Sequence, residues 1–221
     1  VHTSELGIGD FQTAEATGWF TSDFTCTEGL DIGLYFGADW SGSSFSGNPR
    51  GSVSRILDGT QPTLNPAQWS SFTTAALAAN DLKVNIQVET NYYPSTMGLF
   101  AHAEVDILDA SITNDLKIVI QLHQDSIVSP QKFPAGTFPN PSPFDYIDTN
   151  FVHRDILRAC VDGRAFGQLL DADHLDANGN YYFNYSYELP SQYDPSNMHL
   201  LIYVRDAVTE EIYQVIEHHF N

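Results

Sequence analysis

Apolar and polar residues alternate with a period of two through much of the chain beyond Asn80. Leu82, Val84, Ile86 and Val88 are interleaved with Lys83, Asn85, Gln87 and Glu89. That rhythm puts apolar side chains on one face of a strand and polar ones on the other, wet face. Leu99, Ala101, Ala103, Val105 and Ile107 repeat it after the turn Tyr93-Pro94-Ser95. Tyr181, Phe183, Tyr185 and Tyr187 repeat it again after Asp176-Ala177-Asn178-Gly179. Leu116 to His123 is an apolar run, and Phe151 to Cys160, His199 to Arg205 and Glu211 to Glu217 complete the series. Seven short strands with turns between them and no convincing helix predict an antiparallel, immunoglobulin-like β-sandwich over residues 81–221.

Residues 1–80 follow a different rhythm. Leu30, Leu34 and Tyr35 recur at helical spacing and predict a short helix from Glu28 to Phe36, closed by Gly37. Ser41 to Gly47 is a turn, and Ser52 to Leu57 alternates weakly like a strand. Asn65 as N-cap and Pro66 at the first helical position start a second helix, with Trp69, Phe72, Ala76 and Leu77 on one side. The whole is thus α+β but mainly β. Val1-His2-Thr3 reads as the end of a buried strand, so the sequence is expected to begin inside a domain.

The stretch from Leu116 to Gly167 organises the rest. Its two strands are joined by a proline-rich connection, Ser126 to Asn150, longer than the roughly 15 residues usual for a structureless loop in a compact domain. Phe133, Phe138, Phe144 and Tyr146 lie among its prolines, more aromatics than a solvated linker needs. They suit either a recognition surface, whose prolines lower the ordering cost of binding, or a cover over an open sheet edge.

Charge narrows the partners. Nine basic residues against 28 acidic ones give a net charge of −19, which argues against nucleic acid or an anionic membrane surface. No run approaches the about 18 apolar residues of a membrane-spanning helix. Cys26 and Cys160 lack the spacing of a zinc site or redox pair, and two free buried thiols are preferred to a bridge.

His123 and His153 each precede an aspartate by two residues, Asp125 and Asp155, so a metal-binding cluster is geometrically allowed. Hydrogen bonds from each ring to loop backbone are the preferred reading, because metal-ligand spacing is diagnostic only when close and repeated. Arg158, in apolar company, suggests a half-buried clamp paired with a carboxylate. Asp171, Asp173, Asp176 and Asn178 crowd a turn and offer oxygen ligands to calcium, although they do not match an EF-hand loop. His218 and His219 could suggest a metal site or a tag remnant, but beside Phe220 the frayed end of the last strand is the preferred reading. Nucleophile-elbow, zinc-protease and nucleotide-binding motifs are absent from the sequence.

The order of these features carries a resemblance. Gly47-Asn48-Pro49-Arg50-Gly51 to Arg55 comes first, followed by a helix with Trp69. Then come Gln124-Asp125-Ser126-Ile127-Val128 with Gln131, and His153-Arg154-Asp155-Ile156-Leu157-Arg158 with Gly163 and Gly167. The chain resembles the 28-kDa outer-membrane-protein-related family of Bacteroidota. That resemblance implies a thioredoxin-like domain followed by a β-sandwich, on an exported envelope protein that is often a lipoprotein. Residues 1–80 would be the back half of the thioredoxin-like domain, with Pro49 at its cis-proline position. It also implies other envelope proteins as partners, a site at the outer membrane, periplasm or cell surface, and room for a lipid anchor ahead of Val1.

The function expected is non-enzymatic, a protein-binding or assembly module. One rival is a thiol-disulfide oxidoreductase whose cysteine pair lies ahead of Val1. The other is a carbohydrate-binding sandwich using Trp40, Trp69 and the tyrosine-rich strand. Burial of Tyr181, Phe183 and Tyr185 would exclude that strand from sugar binding.

Overall fold

The computed structural model describes residues 24, 26–36, 51–57, 64, 66–79, 82–133, 135–136 and 140–220. Its helices are α1 (Thr27–Leu34) and α2 (Pro66–Ala78). The strands are β1 (Val84–Tyr93), β2 (Gly98–Ile107), β3 (Leu116–Gln124), β4 (Ile127–Phe133), β5 (Tyr146–His153), β6 (Ile156–Cys160), β7 (Gln168–Leu169), β8 (Tyr181–Glu188), β9 (Met198–Asp206) and β10 (Ile212–His219). All pairings are antiparallel. One sheet has the order β1-β2-β8 and a second the order β10-β9-β3-β6, with β7 also on β3.

These two sheets form a sandwich because their apolar positions meet in one core. Val84, Ile86, Leu99, Ala101, Ala103, Val105, Phe183 and Tyr185 come from the first sheet, and Leu116, Ile118, Ile120, Leu122, Leu200, Ile202 and Val204 from the second. β1 and β2 keep the half-wet alternation that their sequences predict. β3 and β9 do not: nearly every residue of each is buried. Their even-numbered side chains enter the main core, so the odd-numbered ones must be covered from the other side.

A second apolar cluster contributes to that cover. Ile32 of α1 packs with Ile156, Leu157 and Ala165, joined by Phe24, Cys26, Phe36, Ile127 and Phe166. The predicted helix from Glu28 to Phe36 is therefore present, one turn of its apolar side serving the sheet. α2 also forms where its Pro66 start signal stands, but Leu77 is exposed rather than part of a buried stripe. Ser52 to Leu57 is not a strand: Gly51 makes an isolated bridge to Leu64, and the chain then turns through Ser54 and Arg55 at positive φ. Pro49, Phe138, Trp40 and Gly37 lie outside the described residues.

The proline-rich connection is not a loop. It is a second antiparallel pair, β4 with β5, continuing the β3–β6 pair beyond a double kink. Ser126 (φ 60) and Asp155 (φ 52) both adopt the left-handed region, one on each strand, and turn the outer hairpin out of the sheet. The predicted strand Phe151 to Cys160 is thus two strands broken at Asp155. Pro130 sits at a bulge, between the pairs Ser129–Phe151 and Gln131–Asp148, where it owes the ladder no N–H. Nor is the C-terminus frayed, since β10 runs to His219 and Phe220 is buried in the main core beside Tyr92.

Gly167 shows how tightly the chain returns to β3. It sits at φ +77, and a Cβ there would lie 2.1 Å from the Ile118 carbonyl oxygen. Backbone cannot yield as a side-chain tip does. Gly167→Ala is expected to destabilise the protein by about 3 kcal/mol or more, read as a lower denaturant midpoint. Gly163→Ala, at a similar φ but with open space around its Cβ, should cost no more than about 2 kcal/mol.

Candidate functional site

Three histidines form a rung across the covered face of the five-stranded sheet. His123 of β3 pairs with His199 of β9, and His199 pairs with His219 of β10. Direct partners in antiparallel strands share a face, and the rings follow suit. His123 stacks on His199 at 5.6 Å between centroids, and His199 meets His219 at 5.3 Å. His123 is 1% exposed, His199 2%, and only His219 reaches solvent.

His123 has a structural task. Its Nδ1 donates to the carbonyl of Asp155 at 3.0 Å, and its Nε2 lies 3.1 Å from Gln121 Oε1. The ring thus ties β3 to the kink. Burial lowers its pKa to about 4, so it is neutral at physiological pH. His153 occupies a different place, its Nε2 3.2 Å from the Ser129 carbonyl and its ring against Phe24 and Phe151. Asp125 spends an oxygen on the Asp155 backbone N–H at 2.7 Å. Among the described residues, the ligating groups that converge are instead His199, Glu217 and His219, with one atom from each within 4.8 Å of the others.

Further along the same face lies a buried ion-pair network. Glu210, 3% exposed, meets Arg205 through Oε1 and Arg55 through Oε2, and accepts from the Tyr35 hydroxyl. Arg55 also donates to Tyr203 OH at 2.9 Å, while its guanidinium lies over Phe36 and Tyr203. Arg205 donates twice to the Phe166 carbonyl. Arg205 and Glu210 are close in the chain, but their link to Arg55 escapes sequence reading because it forms only after 155 residues of chain have folded back.

The outer hairpin exposes several large apolar side chains. Phe144 is 76% exposed, Val128 61% and Tyr146 52%, and Val128 faces Val152, also exposed. Phe133 is half-buried, stacked with Tyr146 and edge-on to Phe151. Asn140 holds the tip together by donating to the carbonyls of Phe133 and Phe144, and Lys132 pairs with Asp145 at 3.1 Å. Among the described residues, β4 and β5 pair only with each other.

The remaining sequence candidates find local roles. Arg158 lies 4.4 Å from the Tyr193 ring centre and 5.9 Å from that of Phe24. The predicted carboxylate partner is therefore replaced by aromatic faces among the described residues. Asp171 caps the turn at Asp173 and bonds His174, Asp176 accepts from Asn178 and Asn180, and Asp173 is exposed. Their oxygens serve their own turns. Cys26 and Cys160 are free thiols, and burial raises the pKa of both. Phe183 and Tyr185 belong to the core, with Tyr181 and Tyr187 packed on it, so the aromatic strand offers no flat row to a sugar.

The family model for outer membrane protein Omp28 matches residues 40–221. No curated protein matches the chain. Among solved structures, HBP35 of Porphyromonas gingivalis is similar at a TM-score of 0.62 and 12% identity, over 86% of this chain and 57% of that one. This chain therefore spans little more than half of HBP35. A domain of the outer membrane lipoprotein Omp28 from Porphyromonas gingivalis aligns at 0.42 and 16% identity, over 64% of this chain and 91% of that one.

Two outcomes test the buried polar groups. Removing the carboxylate in Glu210→Ala leaves two arginines unpaired and is expected to cost about 3–5 kcal/mol in denaturant unfolding. Asp206 gives a pH signature. Burial alone would raise its pKa, but the N–H groups of Thr209 and Val208 with Asn114 and Tyr213 hold it down to about 2. Its folded value lies below its unfolded one. Its contribution is therefore complete above about pH 4 and lost as the pH falls towards 2. Over that interval the melting temperature of Asp206→Asn should fall less steeply than that of the unaltered chain.

Proposed function

The chain belongs to the Omp28 family of outer membrane proteins, and from that premise we propose a non-enzymatic module that recognises a protein partner through its outer β4–β5 hairpin. It is an exported, outer-membrane-associated protein of the Bacteroidota. Among the described residues no helix is long and apolar enough to cross a membrane.

The observation that most supports the reading is the exposure of Phe144 and Tyr146 towards the hairpin tip, with Val128 and Val152 exposed on the other face nearer its base, on two strands that among the described residues pair only with each other. Such side chains supply apolar contact area to a partner segment. The aromatic root and the Asn140 cross-ties hold the hairpin in shape before binding, which lowers the ordering cost. A partner of another chemistry, an anionic surface or nucleic acid, is opposed by the charge of −19.

The non-enzymatic reading is supported by thiols whose burial disfavours the reactive thiolate. We read the sandwich as immunoglobulin-like, because β1-β2-β8 against β10-β9-β3 follows the A-B-E against G-F-C order of that fold. Residues 1–80 are read as the back half of a thioredoxin-like domain, supported by the family resemblance. A lipid anchor and the identity of the envelope partner belong to the same proposal.

The test is chemical cross-linking of the full chain to solubilised outer-membrane proteins of a Bacteroidota host, followed by quantitative identification of the cross-linked partner. Phe144→Ser with Tyr146→Ser should cut the specific cross-link by roughly tenfold, the loss of a small hot spot. Its melting temperature should fall by no more than about a few degrees, since Phe144 is exposed and Tyr146 loses only its stack on Phe133. A large drop in melting temperature with the cross-link retained would mean that the hairpin is a cover.

A further inference from the structure

We propose that His199, Glu217 and His219 bind one borderline divalent transition-metal ion of the zinc type at the edge of the five-stranded sheet. The strand register builds this arrangement. His199 and His219 are direct cross-strand partners, and Glu217 lies two residues from His219 on the same strand and face. One nitrogen or carboxylate oxygen from each lies within 4.8 Å of the other two, so a small side-chain adjustment lets a single ion reach all three.

The second observation is an orphan. His199 is 2% exposed, yet its Nδ1 has no hydrogen-bond partner. A buried ring nitrogen without a partner loses its hydration and regains nothing, at a cost that protein interiors seldom carry. The other nitrogen, Nε2, has Asp155 Oδ1 at 3.6 Å. At that distance the carboxylate is a charge neighbour of the ring rather than its hydrogen-bond partner. The simpler account is an ordinary 2.8 Å pair between His219 Nε2 and Glu217 Oε1. That pair leaves the buried nitrogen of His199 unexplained.

The donor set selects the ion. Two imidazoles and a carboxylate suit zinc and its neighbours, whereas calcium and magnesium require oxygen throughout. Glu217 and His219 are more than half exposed, so water can complete the coordination and the ion can enter from solvent. The site is independent of partner recognition by the hairpin, because neither Phe144 nor Tyr146 contributes to it.

The full chain, without a histidine tag and freed of metal by a chelator, would be titrated with zinc chloride by calorimetry. One ion per chain is expected, with a dissociation constant of about micromolar or tighter. His219→Ala and Glu217→Gln should each weaken binding by roughly tenfold or more. Zinc should raise the melting temperature of the unaltered chain more than that of the variants. Glu217→Gln keeps its shape and serves as the test if His219→Ala disturbs β10. Absence of stoichiometric binding at about 100 micromolar zinc, or an affinity unchanged by Glu217→Gln, would overturn the site.

Discussion

Burial of β3 on both faces is the constraint from which the rest of the structure follows. Leu116, Ile118, Ile120 and Leu122 enter the main core, while Val119, Gln121 and His123 point the other way and are just as buried. A strand in that position needs two layers of cover, and the first sheet supplies one. α1, the return segment around Ala165 and Phe166, and the residues near Arg55 contribute to the other.

The second layer differs in chemistry from the first. It holds Gln121, His123, His199, Arg205 and Glu210, each at most 3% exposed. Buried polar groups are normally paired, and apart from the Nδ1 of His199 the pairings here run through backbone carbonyls as much as through side chains. Arg205 uses the Phe166 carbonyl and His123 that of Asp155. Each such bond fixes a piece of irregular chain against a regular strand. The polar layer therefore positions the cover and the kink as well as satisfying its own atoms.

Asp155 is where the parts meet. Its left-handed backbone breaks the ladder between β5 and β6, its carbonyl accepts from His123, its N–H is held by Asp125, and its carboxylate faces His199. The outer hairpin thus leaves the sheet at a point braced from several sides. That bracing gives its exposed aromatics a defined direction, which matters for a surface that works by contact.

The period-two alternation of β1, β2 and β8 was legible because each has one wet face, and so the sandwich and its main core could be placed from residue types alone. The start of α2 was legible from Pro66, a purely local signal. By contrast, the Ser126 to Asn150 stretch reads as a loop in the sequence and folds largely as a hairpin. Pro130 and a bulge interrupt its alternation, and two left-handed non-glycine residues at its base carry no compositional mark. His123 and His153 drew attention through their neighbouring aspartates, while His199 and Glu217 drew none. Glu217 and His219 stand two apart in a strand, a local signal that they share a face. Their meeting with His199 required the pairing of β9 with β10. Sequence by itself determined which residues are apolar, where strands alternate and what the charge repels, because those depend on neighbours along the chain. Tertiary structure alone decided which polar side chains meet, because register and kink bring together groups that the chain keeps tens of residues apart.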